Sequence, residues 1–295
     1  MNTKKFIISR LVPQRFEKML RSFRDQFIRS YKIEKLPKEI YSKELKFYKV
    51  SFCITCMNRL FHLKNTLEKN ILDNRTYKNL EFIVINYNSK DHLDKWMKQH
   101  MLKYIESGIV KYYKTDDPSS FHASKAKNLS HLLAEGDIVC NLDGDNFTGK
   151  DFAFYINYMF NKYEEDLFLH FTKKPFWGTE GRMALSKENF LKLGGYDEDL
   201  LPIGHEDHDL MNRAKASGFK YLKIEIENFL RYLSNTEKEK AENCVDDSTS
   251  FYVLEKGNQE KSNENINNGK LIANPSGTEK FTLFKNFSTD PIPYP

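Results

Sequence analysis

The chain predicts an α/β fold, a mostly parallel sheet covered by helices on both faces, and three observations carry that expectation. Short apolar runs rich in β-branched and aromatic residues alternate with longer stretches of helical periodicity. The run Asp137–Leu142 reads as a buried strand that gives way to a loop. The connections between them are short, which is the habit of repeated strand-helix-strand units. With 295 residues and 40% apolar content, the chain can bury one large core or two modest ones.

The elements follow in order. Residues 1–48 hold 13 Lys and Arg against 5 Asp and Glu, whereas the whole chain nets only +5. The body is therefore slightly acidic, and nucleic acid is excluded as its partner on charge. Within the basic segment Val12, Phe16, Met19, Leu20, Phe23, Phe27 and Tyr31 recur at three- and four-residue steps. They predict an amphipathic helix that packs on the domain or on a second copy of the chain, or adsorbs through residues 1–32 to an anionic membrane surface.

A first strand is predicted over Tyr48–Thr55, running into the loop Cys56–Arg59 and a helix over Leu60–Leu72. A second strand, Leu80–Ile85, ends at Asn86–Ser89 and leads to a helix over Asp91–Glu106. A third, Ile109–Lys114, precedes a helix over His122–Ala134, and a fourth spans Asp137–Leu142. Beyond Phe147 come a helix to Tyr163, a strand Leu167–Phe171, a loop holding Trp177, a strand Arg182–Leu185, a short helix Lys187–Leu193 and a helix Glu206–Ser217. Residues 235–279 shift to Asn, Lys, Glu and Ser and are predicted to be largely disordered, with Phe281–Phe284 and Phe287 tying the end of the tail back. The expected organisation is a basic helical extension over 1–47, a domain over 48–234 divided at residue 146, and a mobile linker and tail over 235–295.

Two strings carry chemistry. The fourth strand stops at Asp143-Gly144-Asp145-Asn146. Two carboxylates one residue apart at the carboxyl end of a buried strand, where open α/β sheets bind ligands, converge on a hard cation such as Mg²⁺ or Mn²⁺ and, through it, on phosphates. In Gly204-His205-Glu206-Asp207-His208-Asp209, Glu206 and Asp207 stand in the first turn of a helix. There they serve as ordinary helix-start charges or as a base able to take a hydroxyl proton.

Residues Val50–Arg59, Glu81–Asp91, Lys125–Asn128 and Gly136–Asn146 resemble the nucleotide-sugar-binding half of family 2 glycosyltransferases with the GT-A fold. The ordered segments Trp177-Gly178, Ala184-Leu185-Ser186-Lys187, Gly194-Gly195-Tyr196 and Gly204 to Arg213 resemble the C-terminal region of β-1,4-galactosyltransferases. The resemblance spans residues 48–232. It implies that Asp143 and Asp145 hold Mn²⁺ or Mg²⁺ on the diphosphate of a UDP-sugar, and that Thr55, Met57, Arg59 and Asn86 line the nucleotide site. It also implies that Lys127 and Asn128 reach the donor, that Trp177 stacks on a sugar, that Asp207 is the base and that Glu206 contacts a sugar.

The implied reaction is transfer, with inversion, of a hexose or N-acetylhexosamine, galactose or N-acetylgalactosamine foremost, to a saccharide of a surface polysaccharide or a lipid-linked glycan. The alternatives are a non-catalytic nucleotide-sugar or glycan-binding protein and a sugar nucleotidyltransferase. The latter is disfavoured by the lack of a Gly-rich phosphate loop after the first strand. Two departures from the family pattern stand out. Asn86 replaces a customary Asp, and Tyr232 stands where a His would complete the metal site, leaving His205 and His208 as substitute ligands or as capping and solvated side chains. With no apolar stretch long enough to span a membrane and four cysteines that suggest no disulfide framework, the expected location is the cytoplasm, peripheral at the inner membrane face.

Overall fold

The structure, a computed structural model, describes residues 36–163, 166–173, 177–236, 239, 242–244 and 250–295. The basic helix expected over 1–32 lies outside the described residues, as do Phe176 and the side chain of Trp177. Among the described residues no helix is long and apolar enough to cross a membrane.

Among the described residues, seven strands and six α-helices occupy the stretch from residue 50 to 192. They are β1 (Val50–Cys56), α1 (Leu60–Asn74), β2 (Leu80–Tyr87), α2 (Leu93–His100), α3 (Leu102–Glu106), β3 (Val110–Thr115), α4 (Ala123–Leu132), β4 (Ile138–Asn141), β5 (Asn146–Phe147), α5 (Phe152–Tyr163), β6 (Leu167–Phe171), β7 (Met183–Ser186) and α6 (Lys187–Lys192). Then follow α7 (Glu206–Ala216), β8 (Lys220–Ile224), β9 (Arg231–Tyr232), α8 (Phe251–Asn267), β10 (Leu283–Lys285) and β11 (Pro291–Ile292). The helix expected over 91–106 is broken at Met101 into two pieces.

Nine strands form one sheet in the order β11-β10-β3-β2-β1-β4-β7-β6-β8. β3, β2, β1 and β4 run parallel, β6 and β8 are also parallel to each other, and β7 is antiparallel to both its neighbours. The chain leaves β1 toward β2 and β3, then returns to add β4 on the other side of β1. That reversal is the switch point where such sheets open a crevice at their carboxyl ends.

The sheet separates two apolar layers. On one face Phe52 stacks on Phe152 at 5.7 Å, and Phe171 and Phe229 close around them. On the other, Ile83, Ile85, Val139 and Leu129 pack with Leu210 and Phe190. Phe52, Cys53 and Ile54 are essentially unexposed although successive side chains point to opposite faces, which is why β1 reads as a continuous apolar run. The outer strand β8 carries exposed Lys220 and Lys223, charges that discourage pairing at an open edge.

The tail corrects the expectation of disorder. Residues 251–267 form α8, which packs on α7, and the last residues add β10 antiparallel to β3. Leu283 and Phe281 are buried and Phe287 packs on Tyr112 at 5.1 Å, as the terminal aromatics suggested. The helix was not legible because its buried face is made of Asn258, Ser262 and Asn265, with Leu254 its buried apolar member. Hydrophobic periodicity registers apolar faces, and this one is polar.

Candidate active site

The switch point brings the ends of β1 and β4 side by side: Cys53 pairs with Asn141, and the Leu142 N–H donates to the Cys53 carbonyl at 2.9 Å. Asp143 and Asp145 therefore emerge next to Thr55 and the loop to Arg59. The turn between the two carboxylates is held by the Thr66 hydroxyl, which donates to the Gly144 carbonyl at 2.6 Å. Asn141 donates to Asp143 Oδ1 at 3.1 Å and to the Gly181 carbonyl at 2.9 Å, so it orients the first carboxylate and ties β4 to the loop before β7. Asn146 donates to Asp145 Oδ1 at 2.5 Å, and Asn235 donates to Asp145 Oδ2.

Beneath this loop lies Arg182, fully buried. It donates to Asn146 Oδ1 at 2.8 Å and to the Phe229 carbonyl, pinning β5 and the approach to β9 under the acidic pair. Burial draws its guanidinium down to about 10.

The second acidic pair comes from α7. Its first turn follows two residues in the left-handed region, Gly204 at φ +93° and His205 at φ +66°. Glu206 and Asp207 then meet Lys127 from α4. The Lys127 ammonium lies 2.8 Å from Glu206 Oε1 and 2.7 and 2.8 Å from the two oxygens of Asp207. Burial opposes its charge, but Asp207 and Glu206 hold the ammonium protonated well above the usual lysine range. Burial likewise opposes ionisation of Glu206, and Lys127 nonetheless keeps it below the usual carboxylate range. Burial pushes Asp207 up to about 7 against the pull of Lys127. Glu206 Oε2 is buried, and backbone N–H groups at Gly204 and Glu206 help to keep the carboxylate ionised.

Gly181 joins the two pairs. A Cβ at this position would stand 2.9 Å from Asp143 Oδ2 and 2.8 Å from Asp207 Oδ2. The two carboxylates thus face one small cradle that exists because residue 181 has no side chain. Gly181→Ala is expected to fold like the wild type, since only side-chain ends, the two carboxylates and the Asn141 amide at 3.3 Å, must move, yet to lose about a hundredfold in turnover because the carboxylates are the reacting geometry. Thermal unfolding and UDP-release rates measured on the same preparation check both halves.

The residues fit a divalent cation. The donors are all oxygens, and burial together with the neighbouring Asp143 pushes Asp145 up to about 7, a repulsion that a cation relieves. No group of three His, Cys, Asp or Glu among the described residues is arranged to hold a metal. The Tyr232 ring packs where a side chain on Gly178 would stand. His208 reaches Glu180 at 3.4 Å instead, and His205 occupies the residue before α7.

Several expected donor contacts are placed differently. Asn86 is 1% exposed and turned inward: its amide donates to Tyr112 at 2.8 Å and Asp94 at 3.2 Å, and its carbonyl accepts from the Ser89 N–H. Asn128 is equally buried and clamps Tyr196, accepting from its N–H and donating to its carbonyl, each at 2.8 Å. Lys127 is engaged with the acidic pair. Met57 lines a cavity of about 340 Å³ with Asn58, Ser119, Ser120, Glu242, Asn243 and Cys244. Arg59 donates to Asn235 Oδ1 at 3.0 Å and to the Glu239 carbonyl, so the segment after β9 crosses the same edge. Trp177 begins a short 3-10 turn.

The sequence reading missed Asn141, Gly181, Arg182 and Asn235. No local motif marks them, since each acts through a residue distant in the chain.

Comparison with known proteins agrees with the α/β fold. Residues 161–237 match a family model described as the N-terminal domain of galactosyltransferase. No curated protein matches the chain. Among solved structures, GalNAc-T7 with UDP, GalNAc and Mn²⁺ superposes with a TM-score of 0.53 at 15% identity, covering 72% of this chain and 52% of that one. The mannosyltransferase PcManGT from Pyrobaculum calidifontis, in complex with GDP-Man and Mn²⁺, gives 0.49 at 16% identity, covering 70% and 62%. S. aureus TarS 1-349 gives 0.48 at 14% identity, covering 74% and 72%. The chain thus spans between half and two thirds of the length of the first two. The protein has the GT-A glycosyltransferase fold and carries a galactosyltransferase-like segment over residues 161–237.

Proposed function

We propose that the protein is a metal-dependent, inverting glycosyltransferase that moves a hexose or N-acetylhexosamine from a UDP-sugar to a saccharide acceptor. The observation that carries this reading is the convergence of Asp143 and Asp207 on the cradle at Gly181. One carboxylate belongs to a pair suited to a cation, and the other to a buried pair suited to proton transfer. The UDP, GalNAc and Mn²⁺ in the GalNAc-T7 structure support the same donor chemistry on this fold.

A bound Mn²⁺ or Mg²⁺ supplies neutralisation of the charge that grows on the departing diphosphate. Asp143 and Asp145 would hold it, with Asn141 and Asn146 orienting their carboxylates. Met57 and the neighbouring 340 Å³ cavity receive the nucleoside. Asp207 accepts the proton of the acceptor hydroxyl, whose oxygen forms the new bond to the anomeric carbon as the bond to the diphosphate oxygen breaks. Lys127 favours the ionised form of Asp207 and fixes its position, and the carboxylate retains lone pairs to accept from the hydroxyl. Glu206 Oε2 accepts from a sugar hydroxyl. A single in-line displacement inverts the anomeric centre.

The basic segment 1–32 supports an acceptor at an anionic membrane surface, a lipid-linked glycan or a growing surface polysaccharide, reached from the cytoplasmic face. The test is UDP release from UDP-galactose, UDP-N-acetylgalactosamine, UDP-glucose and UDP-N-acetylglucosamine with Mn²⁺. A galacto-configured donor is expected to be turned over and EDTA to stop it. UDP binding without turnover of any donor, even with glycan acceptors supplied, would favour a binding protein.

A further inference from the structure

The segment matched by the galactosyltransferase model ends at residue 237, and α8 lies beyond it. Its polar face nonetheless grips the turn that launches the acidic helix. Asn258, 1% exposed, accepts from the Leu201 N–H at 2.6 Å and donates to the Gly204 carbonyl at 2.6 Å and the Leu201 carbonyl at 3.1 Å. One helical turn on, the Ser262 hydroxyl donates to Asp209 Oδ1 at 2.7 Å, while Arg213 takes the other oxygen of Asp209 at 2.7 Å. Gly204 is closed in by the helix backbone itself: a Cβ there would stand 3.0 Å from Glu255 Cα.

The gripped turn has two neighbours in the site. Its far end is the left-handed pair Gly204 and His205, after which Glu206 and Asp207 begin α7. A left-handed His is unfavourable by itself and persists where surrounding contacts hold it. Its near end, the Pro202 carbonyl, accepts from the Ala123 N–H at 2.6 Å, the first residue of α4, which carries Lys127. The turn 201–204 therefore registers the Lys127 helix against the Glu206 and Asp207 helix, and Asn258 is the side chain that closes it.

We propose that α8 belongs to the catalytic apparatus and that Asn258 is a positioning residue, setting where Asp207 stands relative to Lys127 and the cradle at Gly181. The inference rests on the glycosyltransferase reading above. A positioning role predicts a split between binding and turnover, because the ends of β1 and β4, where the nucleotide docks, make none of these contacts.

The experiment compares wild type, Asn258→Ala, Ser262→Ala and the exposed control Lys256→Ala on the same helix. UDP affinity is measured by calorimetry with Mn²⁺, and donor hydrolysis gives kcat and KM for the UDP-sugar that the wild type turns over. In Asn258→Ala the expected result is a kcat lowered about ten- to a hundredfold with UDP affinity and KM within twofold of wild type. Ser262→Ala is expected to show a smaller loss of the same kind, and Lys256→Ala none. If Asn258→Ala fails to fold by thermal unfolding, Ser262→Ala carries the same comparison. An unchanged kcat in both variants, or loss of UDP affinity in step with kcat, overturns the proposal. Failure of the wild type itself to bind UDP or turn over a donor overturns the underlying reading instead.

Discussion

Asp207→Asn is expected to leave the protein folded and UDP bound while lowering turnover about 10²- to 10⁴-fold, the usual contribution of a positioned general base. The amide keeps the shape and loses the proton-accepting charge. The pH dependence makes the assignment specific. Burial holds the Asp207 carboxyl up to about 7, so below that pH the base is increasingly protonated and unable to accept. Turnover should therefore rise about tenfold per pH unit on the acid side and level off above pH 7, and Asp207→Asn should abolish that limb. Lys127 pulls the same carboxyl down, so Lys127→Met should move the limb to higher pH. A rate profile of the wild type that is flat from pH 5 to 8, with chemistry limiting, contradicts Asp207 as the base.

Metal removal should have an effect of similar size. A bound cation supplies several kcal/mol of transition-state stabilisation, and about 1.4 kcal/mol is a factor of ten. EDTA or Asp145→Asn should thus cost on the order of 10³-fold in turnover. Stability should move the other way in metal-free protein. Burial, with Asp143 beside it, raises the Asp145 carboxyl to about 7 from 3.8. A folded-state pKa above the unfolded value means that stability is lost as pH rises through that interval and stays lost above it. At pH 8 without metal, Asp145→Asn should therefore have the higher Tm, whereas Mn²⁺ with UDP should raise the Tm of the wild type alone. Identical Tm responses in both proteins would show that the cation does not sit on Asp145.

What the sequence disclosed follows a physical division. The parallel strands and the edge they share were legible because burial on both faces leaves continuous apolar runs, and Asp143 and Asp145 could be placed because a strand end in such a sheet is a defined location. The acidic start of α7 was legible because carboxylates favour the first turn of a helix. Contacts between distant positions left no local mark. Lys127 and Asp207 are 80 residues apart in sequence. Gly181 reads as an ordinary loop glycine, although its missing side chain leaves room between Asp143 and Asp207. Asn86 was expected to line the nucleotide site although the family pattern has Asp there, and Tyr112, Asp94 and Ser89 draw it inward. In α8 an amide and hydroxyl face replaces the apolar stripe, so a polar composition that usually signals disorder here encodes a docked helix.

The most direct test of the account is a calorimetric titration of UDP into the wild type and Asp145→Asn, each with Mn²⁺ and with EDTA. The account predicts binding in the wild type with Mn²⁺, and at least tenfold weaker binding in the other three arms. UDP binding of equal strength in all four arms, or in none, would contradict a cation held by Asp143 and Asp145 as the anchor of the donor.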